Sequence, residues 1–151
     1  MSEALPKYDS VLVIDDHKMV IIGLKLSIGD LFSNFYHTRE GSAGIAMGKK
    51  YQPQLVIVDN QLPDLAGDVV VREIRRYCPE ARILGYSFTM NAEAIRKMCE
   101  AGIHGYVDKS EADLELSHAV AELLAGGEYF SKEARIHLPS ARCGPPTGTG
   151  N

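Results

Sequence analysis

The chain has 151 residues, of which 45% are hydrophobic, and a formal net charge of −4. This suits one domain with a single core, and the acidic balance gives no electrostatic case for direct binding of nucleic acid. The longest mostly apolar segment, Met19 to Ile28, contains Lys25 and is about half the length that crosses a bilayer, which argues against a membrane span. Met1 to Asp9 is a polar lead-in containing Pro6. A first strand is expected over Ser10 to Ile14. Val20, Leu24 and Ile28 then recur at helical spacing up to Gly29. A weak strand near Asn34 to Thr38 precedes a helix over Ser42 to Lys50, which Gly44 and Gly48 make a poor one by propensity.

The run Leu55-Val56-Ile57-Val58 lies between Pro53 and Pro63 and is apolar at every position. Such a strand is covered on both faces, as in a parallel sheet between two layers of helices. A helix over Asp68 to Tyr77 stops before Pro79, and Arg82 to Ser87 is a fourth strand. Asn91 is the expected N-cap of a helix that buries Ile95, Met98 and Cys99 and ends at Gly102. Gly105-Tyr106-Val107 is a short fifth strand. Ser110 to Asp113 fits a capping box that opens the last helix, with Leu116, Val120, Leu123 and Leu124 inward and Gly126-Gly127 closing it. Five alternations of strand and helix imply an α/β fold, a doubly wound parallel sheet of five strands. From Ser131 onward Pro and Gly dominate, so residues 131–151 read as a linker or disordered tail after a domain at 10–130.

The carboxylates stand where ligands gather in open α/β sheets, at the C-terminal ends of strands. Asp15 and Asp16 follow the first strand, and Asp59 ends the third. Three carboxylates on one edge repel each other and call for a cation. Ser87 ends the fourth strand and Lys109 follows the fifth. The cysteines Cys78, Cys99 and Cys143 have unrelated spacings and no nearby histidine at ligand distance, as expected of reduced thiols in a cytoplasmic protein without a zinc site. His17, His37, His104, His118 and His137 lack mutual metal-ligand spacing and receive no role. There is no GxGxxG and no P-loop.

Taken together and in order, Asp15-Asp16, Asp59, Pro63, Gly67, Ser87 and Lys109 resemble the receiver domain of bacterial two-component response regulators, with its flavodoxin-like fold. The resemblance covers roughly Ser10 to Phe130. Asp15-Asp16-His17 and Gly23-Leu24 are also similar to the subfamily with a LuxR-type helix-turn-helix output. The resemblance implies that Asp59 accepts a phosphoryl group from a histidine kinase or phosphotransfer protein. It also implies Mg2+ bound directly by Asp16, with Asp15 acting through water or by orienting its neighbours and with Asp59 and the backbone carbonyl of Gln61 completing the ligands; Lys109 and Ser87 would meet the phosphoryl oxygens. Ser87 and Tyr106 would form the switch, with Tyr106 turning inward and changing the surface of the fourth helix, fifth strand and fifth helix. A dimer on phosphorylation, DNA binding through an output domain not present in this chain, and no membrane contact complete the expectation.

Four positions depart from that pattern. Phe88 stands where a small residue is common, Leu62 where methionine is frequent, and Gly44 and Gly48 weaken the second helix. With Gln61 and Thr89 bordering the approach of water, Phe88 points to slow self-dephosphorylation. Turnover by a phosphatase of the haloacid-dehalogenase type is disfavoured, because its second acid would fall at His17 or Gln61; the chain is not expected to be an enzyme. A stand-alone receiver acting through protein binding is the alternative to a transcriptional output. A receiver that binds partners without phosphate is disfavoured, because an unused acid cluster is an electrostatic cost.

Overall fold

A computed structural model describes residues 5–88 and 91–136; Thr89, His137 and Cys143 lie outside the described residues. Among the described residues, strands and α-helices alternate: β1 (Tyr8–Ile14), α1 (Lys18–Ile28), β2 (Phe32–Thr38), α2 (Gly41–Tyr51), β3 (Leu55–Val58), α3 (Gly67–Tyr77), β4 (Arg82–Ser87), α4 (Ala92–Ala101), β5 (Gly105–Asp108), α5 (Ala112–Leu124), β6 (Tyr129–Phe130) and α6 (Lys132–Ile136). All strand pairs are parallel, in the order β2-β1-β3-β4-β5-β6. The doubly wound α/β sheet is therefore present, with six strands instead of five.

Alternation along the strands divides the core in two. Leu12, Ile14, Val56 and Val58 face α2, α3 and α4, packing with Val70, Ile74, Ile95 and Met98. Val11, Val13, Leu55 and Ile57 face α1 and α5, packing with Ile21, Leu24, Val120 and Leu123. Every residue of β3 is buried, as its unbroken apolar run requires. On α1 the buried stripe is Ile21, Leu24 and Ile28, while Val20 is only partly covered.

The glycines of α2 have a packing reason that propensity hides. A Cβ on Gly44 would run into Ile14, and one on Gly48 would lie 2.6 Å from Ile74 Cδ1. The helix gives up intrinsic stability and gains close approach to β1 and α3. Asn91 caps α4 as expected, its Oδ1 accepting from Ala94 N at 3.0 Å. At the start of α5 the side chains of Glu111 and Asp113, needed for the expected box, lie outside the described residues. Ser110 donates from both its backbone N–H and its hydroxyl to Asp108 Oδ1, at 3.0 and 2.8 Å.

The segment after α5 also departs from expectation. Tyr129 and Phe130 extend the sheet beside Gly105 and Tyr106. Ser131 N donates to Tyr106 O at 2.8 Å. Ser131 Oγ then accepts from Ala134 N at 3.3 Å, and Ser131 and Ala134 are buried. Residues 131–136 thus pack on the domain, in a stretch read as linker. A two-residue strand and a five-residue helix are too short for apolar periodicity to show.

Candidate functional site

Parallel register places the ends of β1 and β3 side by side, with Ile14 opposite Val58. The next residue on each strand is a carboxylate, and Asp59 N still donates to Ile14 O at 3.0 Å. Both side chains are nearly closed to solvent, Asp15 at 1% exposure and Asp59 at 3%. Lys109 follows β5 and is equally buried. Its Nζ lies 2.8 Å from Asp15 Oδ2 and 3.4 Å from Asp59 Oδ2. The shorter contact is an ion pair whose alignment falls short of a hydrogen bond, so Asp15 Oδ2 is a buried oxygen without a hydrogen-bond donor.

One ammonium cannot neutralise two carboxylates. Burial first, and then the charge of Asp15, push the Asp59 carboxyl above the ordinary carboxylate range. Lys109 and a hydrogen bond with Ser87 pull it part of the way back. Ser87, buried at the end of β4 opposite Asp108, also bonds to Tyr106. It therefore touches both the central acid and the tyrosine expected to respond to it.

His17 is the member of the site that sequence reasoning missed. Asp15 Oδ1 accepts from the backbone N of His17 at 2.8 Å and meets its Nδ1 at 3.0 Å. This is the local turn by which an aspartate bonds to the residue two positions on, and it folds the imidazole back over the pocket. Nδ1 ends 3.6 Å from Asp59 Oδ2. The signal was present in the sequence as Asp-x-His, a spacing that says nothing about metal ligation by histidines alone. Asp16 points elsewhere, about half exposed, 3.8 Å from Arg39 Nη2. The donor atoms that converge to within 4.8 Å are those of Asp15, His17 and Asp59. Hard carboxylate oxygens, one of them lacking a donor, fit a metal ion at this place.

The loop after β3 closes the site. Gly67 N donates to Asn60 O at 2.8 Å, and a Cβ on Gly67 would strike the Asp59 carbonyl. Gln61 and Pro63 are exposed, Gln61 bridging to Ala66 across the loop. Phe88 is 59% exposed, yet its ring lies 5.3 Å from Lys109 Nζ and edge-on to His17 at 6.4 Å. The ring therefore stands at the pocket mouth without filling it. Tyr106 is fully buried with its hydroxyl on Asn60, so the inward position expected to follow phosphorylation is occupied already.

Residues 11–121 match the family described as the response regulator receiver domain. The chain belongs to that family. Receiver domains are signalling modules and not turnover enzymes. Among curated relatives, the transcriptional activator protein ExaE of Pseudomonas putida is 30% identical over 142 residues, covering 93% of this chain and 65% of that protein. The transcriptional regulatory protein MctR of Rhizobium johnstonii is 32% identical, covering 80% of this chain and 58% of that one. The chain thus spans less than two thirds of the length of either. A LuxR-family two-component response regulator from Aurantimonas sp. superposes with a TM-score of 0.77 at 26% identity, over 85% of this chain and 93% of that one. It carries the LuxR-type relationship expected from Asp15-Asp16-His17 and Gly23-Leu24. The isolated receiver domain of RcsB from Salmonella enterica shares the fold at 22% identity, with a TM-score of 0.77 over 87% of this chain and 99% of that one. Among the described residues no helix is long and apolar enough to cross a membrane.

Proposed function

We propose that this receiver is a switch in which Asp59 accepts a phosphoryl group from the phosphohistidine of a sensor kinase or phosphotransfer protein. The observation that carries the reading is the pairing of buried Asp59 with Asp15, Lys109 and Ser87 at one sheet edge. In the step, an Asp59 oxygen forms a bond to phosphorus and the phosphorus–nitrogen bond breaks. The imidazole nitrogen leaves with the bonding pair, and Asp59 becomes an acyl phosphate. Lys109 passes from Asp59 to a phosphoryl oxygen as a point charge, and Ser87 bonds another.

Asp15, Asp59 and the carbonyl of Gln61 would hold Mg2+, with Asp16 joining once it leaves Arg39. Magnesium takes few carboxylates and keeps several waters, which suits such a set. When bound, it offsets the like charge of carboxylate and phosphoryl oxygens. The consequence would reach α4, β5 and α5, favour a homodimer, and control a DNA-binding output domain outside this chain, in the cytoplasm. The names of the relatives support a transcriptional role, and RcsB has been seen as dimers bound to DNA. The chain following α6 would be the linker.

The test is incubation with acetyl phosphate, with and without magnesium, followed by intact mass. One phosphoryl group per chain is expected in the wild type with magnesium and none in Asp59→Ala. Incorporation that persists in Asp59→Ala overturns the assignment.

A further inference from the structure

Asn60, next to the central acid, reaches away from it. Its Nδ2 donates to the Tyr106 hydroxyl at 2.7 Å, and both side chains are buried. The ring of Tyr106 has a slot prepared for it. Gly85 is its neighbour across the β4–β5 ladder, and a Cβ there would lie 2.7 Å from Tyr106 Cδ2. Met98 of α4 walls the same slot, 3.2 Å from that Cβ position. A buried phenol without a partner is costly, so the hydroxyl needs a fixed donor or acceptor to remain in the slot. Ser87 also bonds to it, but in the proposed switch Ser87 is the group drawn to the phosphoryl oxygen. Asn60 has no such competing duty, and its backbone is pinned by Gly67 N.

We propose that Asn60 is a positioning residue that latches Tyr106 inward before any phosphoryl transfer. The inference deepens the proposed function and concerns the state that precedes it. The tyrosine then does not report phosphorylation by entering its slot, because it is there from the start. Tyr106 O also accepts from Ser131 N, so the latch fixes the strand against which β6 and the chain leading onward are held. The resting domain would already present the α4-β5-α5 surface in its switched form at this side chain.

The experiment uses the full chain with its seven tyrosines replaced by 3-fluorotyrosine, and Tyr106→Phe identifies the signal. In the untreated wild type the Tyr106 signal should be insensitive to exchange of H2O for D2O, and acetyl phosphate with magnesium should leave it in place. Asn60→Leu keeps the branching and the number of side-chain heavy atoms and removes the donor. It should shift that signal toward solvent, with at least a tenfold rise in the exposed population, while the other six stay put. Phosphorylation should then draw it back. Asn60→Ala provides a second reading if the leucine is not accommodated. A solvent-exposed Tyr106 in the untreated wild type, or a signal that both variants leave where the wild type has it, overturns the latch. Intact mass taken in parallel separates the two ideas: absence of phosphoryl incorporation counts against the proposed function, and an unmoved Tyr106 counts against Asn60.

Discussion

Two aspartates five residues apart show how one loop serves both chemistry and folding. Asp59 is enclosed beside Asp15, and its carboxyl is pushed above the ordinary value of 3.8 by burial and by that neighbouring charge. Asp64 lies in the open and is held down at about 2, by the backbone N–H groups of Ser42 and Gly41. Those bonds, at 2.9 and 2.7 Å, satisfy the first turn of α2. Glu40, the residue at its N-cap position, makes no side-chain capping bond. Asp64 therefore anchors the loop by meeting unpaired donors at a helix start. Asp59 instead stores unfavourable charge at a strand end. A carboxylate that is stabilised as an anion caps and holds; one that is destabilised as an anion suits a place beside a cation.

The sharpest way to break this contrast is to remove Lys109, the cation buried between the two pocket carboxylates. Lys109→Met should destabilise the protein by roughly 3 kcal/mol, because it strands two buried carboxylates. Chemical denaturation measures it. A loss under about 0.5 kcal/mol, the level of ordinary surface changes, would mean that water or the imidazole of His17 already balances the pocket. Phosphoryl lifetime comes next. Phe88 stands at the mouth beside Lys109 and His17, and the wild-type acyl phosphate is expected to persist well beyond seconds. Opening the mouth with Phe88→Ala should speed its loss up to about tenfold, or about 1.4 kcal/mol of barrier. Phosphate release followed over time decides it; decay within seconds in the wild type contradicts the slow state, and an unchanged rate in the variant removes Phe88 as its cause.

Smaller effects separate the two aspartates by pH. A carboxyl raised in the folded state makes the native protein bind more protons than the unfolded chain. Its ionisation then lowers stability as pH rises from 3.8 through the folded value. Asp59→Asn should therefore raise the melting temperature of metal-free protein at neutral pH, by about 3 °C for roughly 1 kcal/mol. Asp64 has the opposite sign: its contribution is present above the ordinary value of 3.8 and fades as pH falls toward about 2. Asp64→Asn should lower the melting temperature at neutral pH and lose that effect in acid. Thermal melts of both variants across pH check the pair, and matching signs would dissolve the contrast.

Much of this was legible in the sequence because β3 is apolar at every position, which fixes a strand covered on both faces and sends Asp59 to its end. Asp15, Ser87 and Lys109 were readable by the same logic of strand ends. Asp16 was read as a direct metal ligand from the family resemblance, and in the structure its side chain lies beside Arg39. Whether it swings back is a matter for metal titration of Asp16→Ala. His17 was missed although Asp-x-His stands in the sequence, since its approach depends on a turn that Asp15 itself makes. The inward Tyr106 depends on the space left by Gly85 and on the reach of Asn60, neither of which has a periodic signature. Gly44 and Gly48 were read by helix propensity, although close packing against Ile14 and Ile74 decides their role.

The most direct measurement locates the phosphoryl group chemically. After treatment with acetyl phosphate and magnesium, borohydride reduces an acyl phosphate to a primary alcohol, and peptide mapping reads which aspartate has changed. The account requires reduction at Asp59 alone, with Asp15, Asp16 and Asp64 intact. Reduction at Asp64, or at either acid after β1 in place of Asp59, would contradict it.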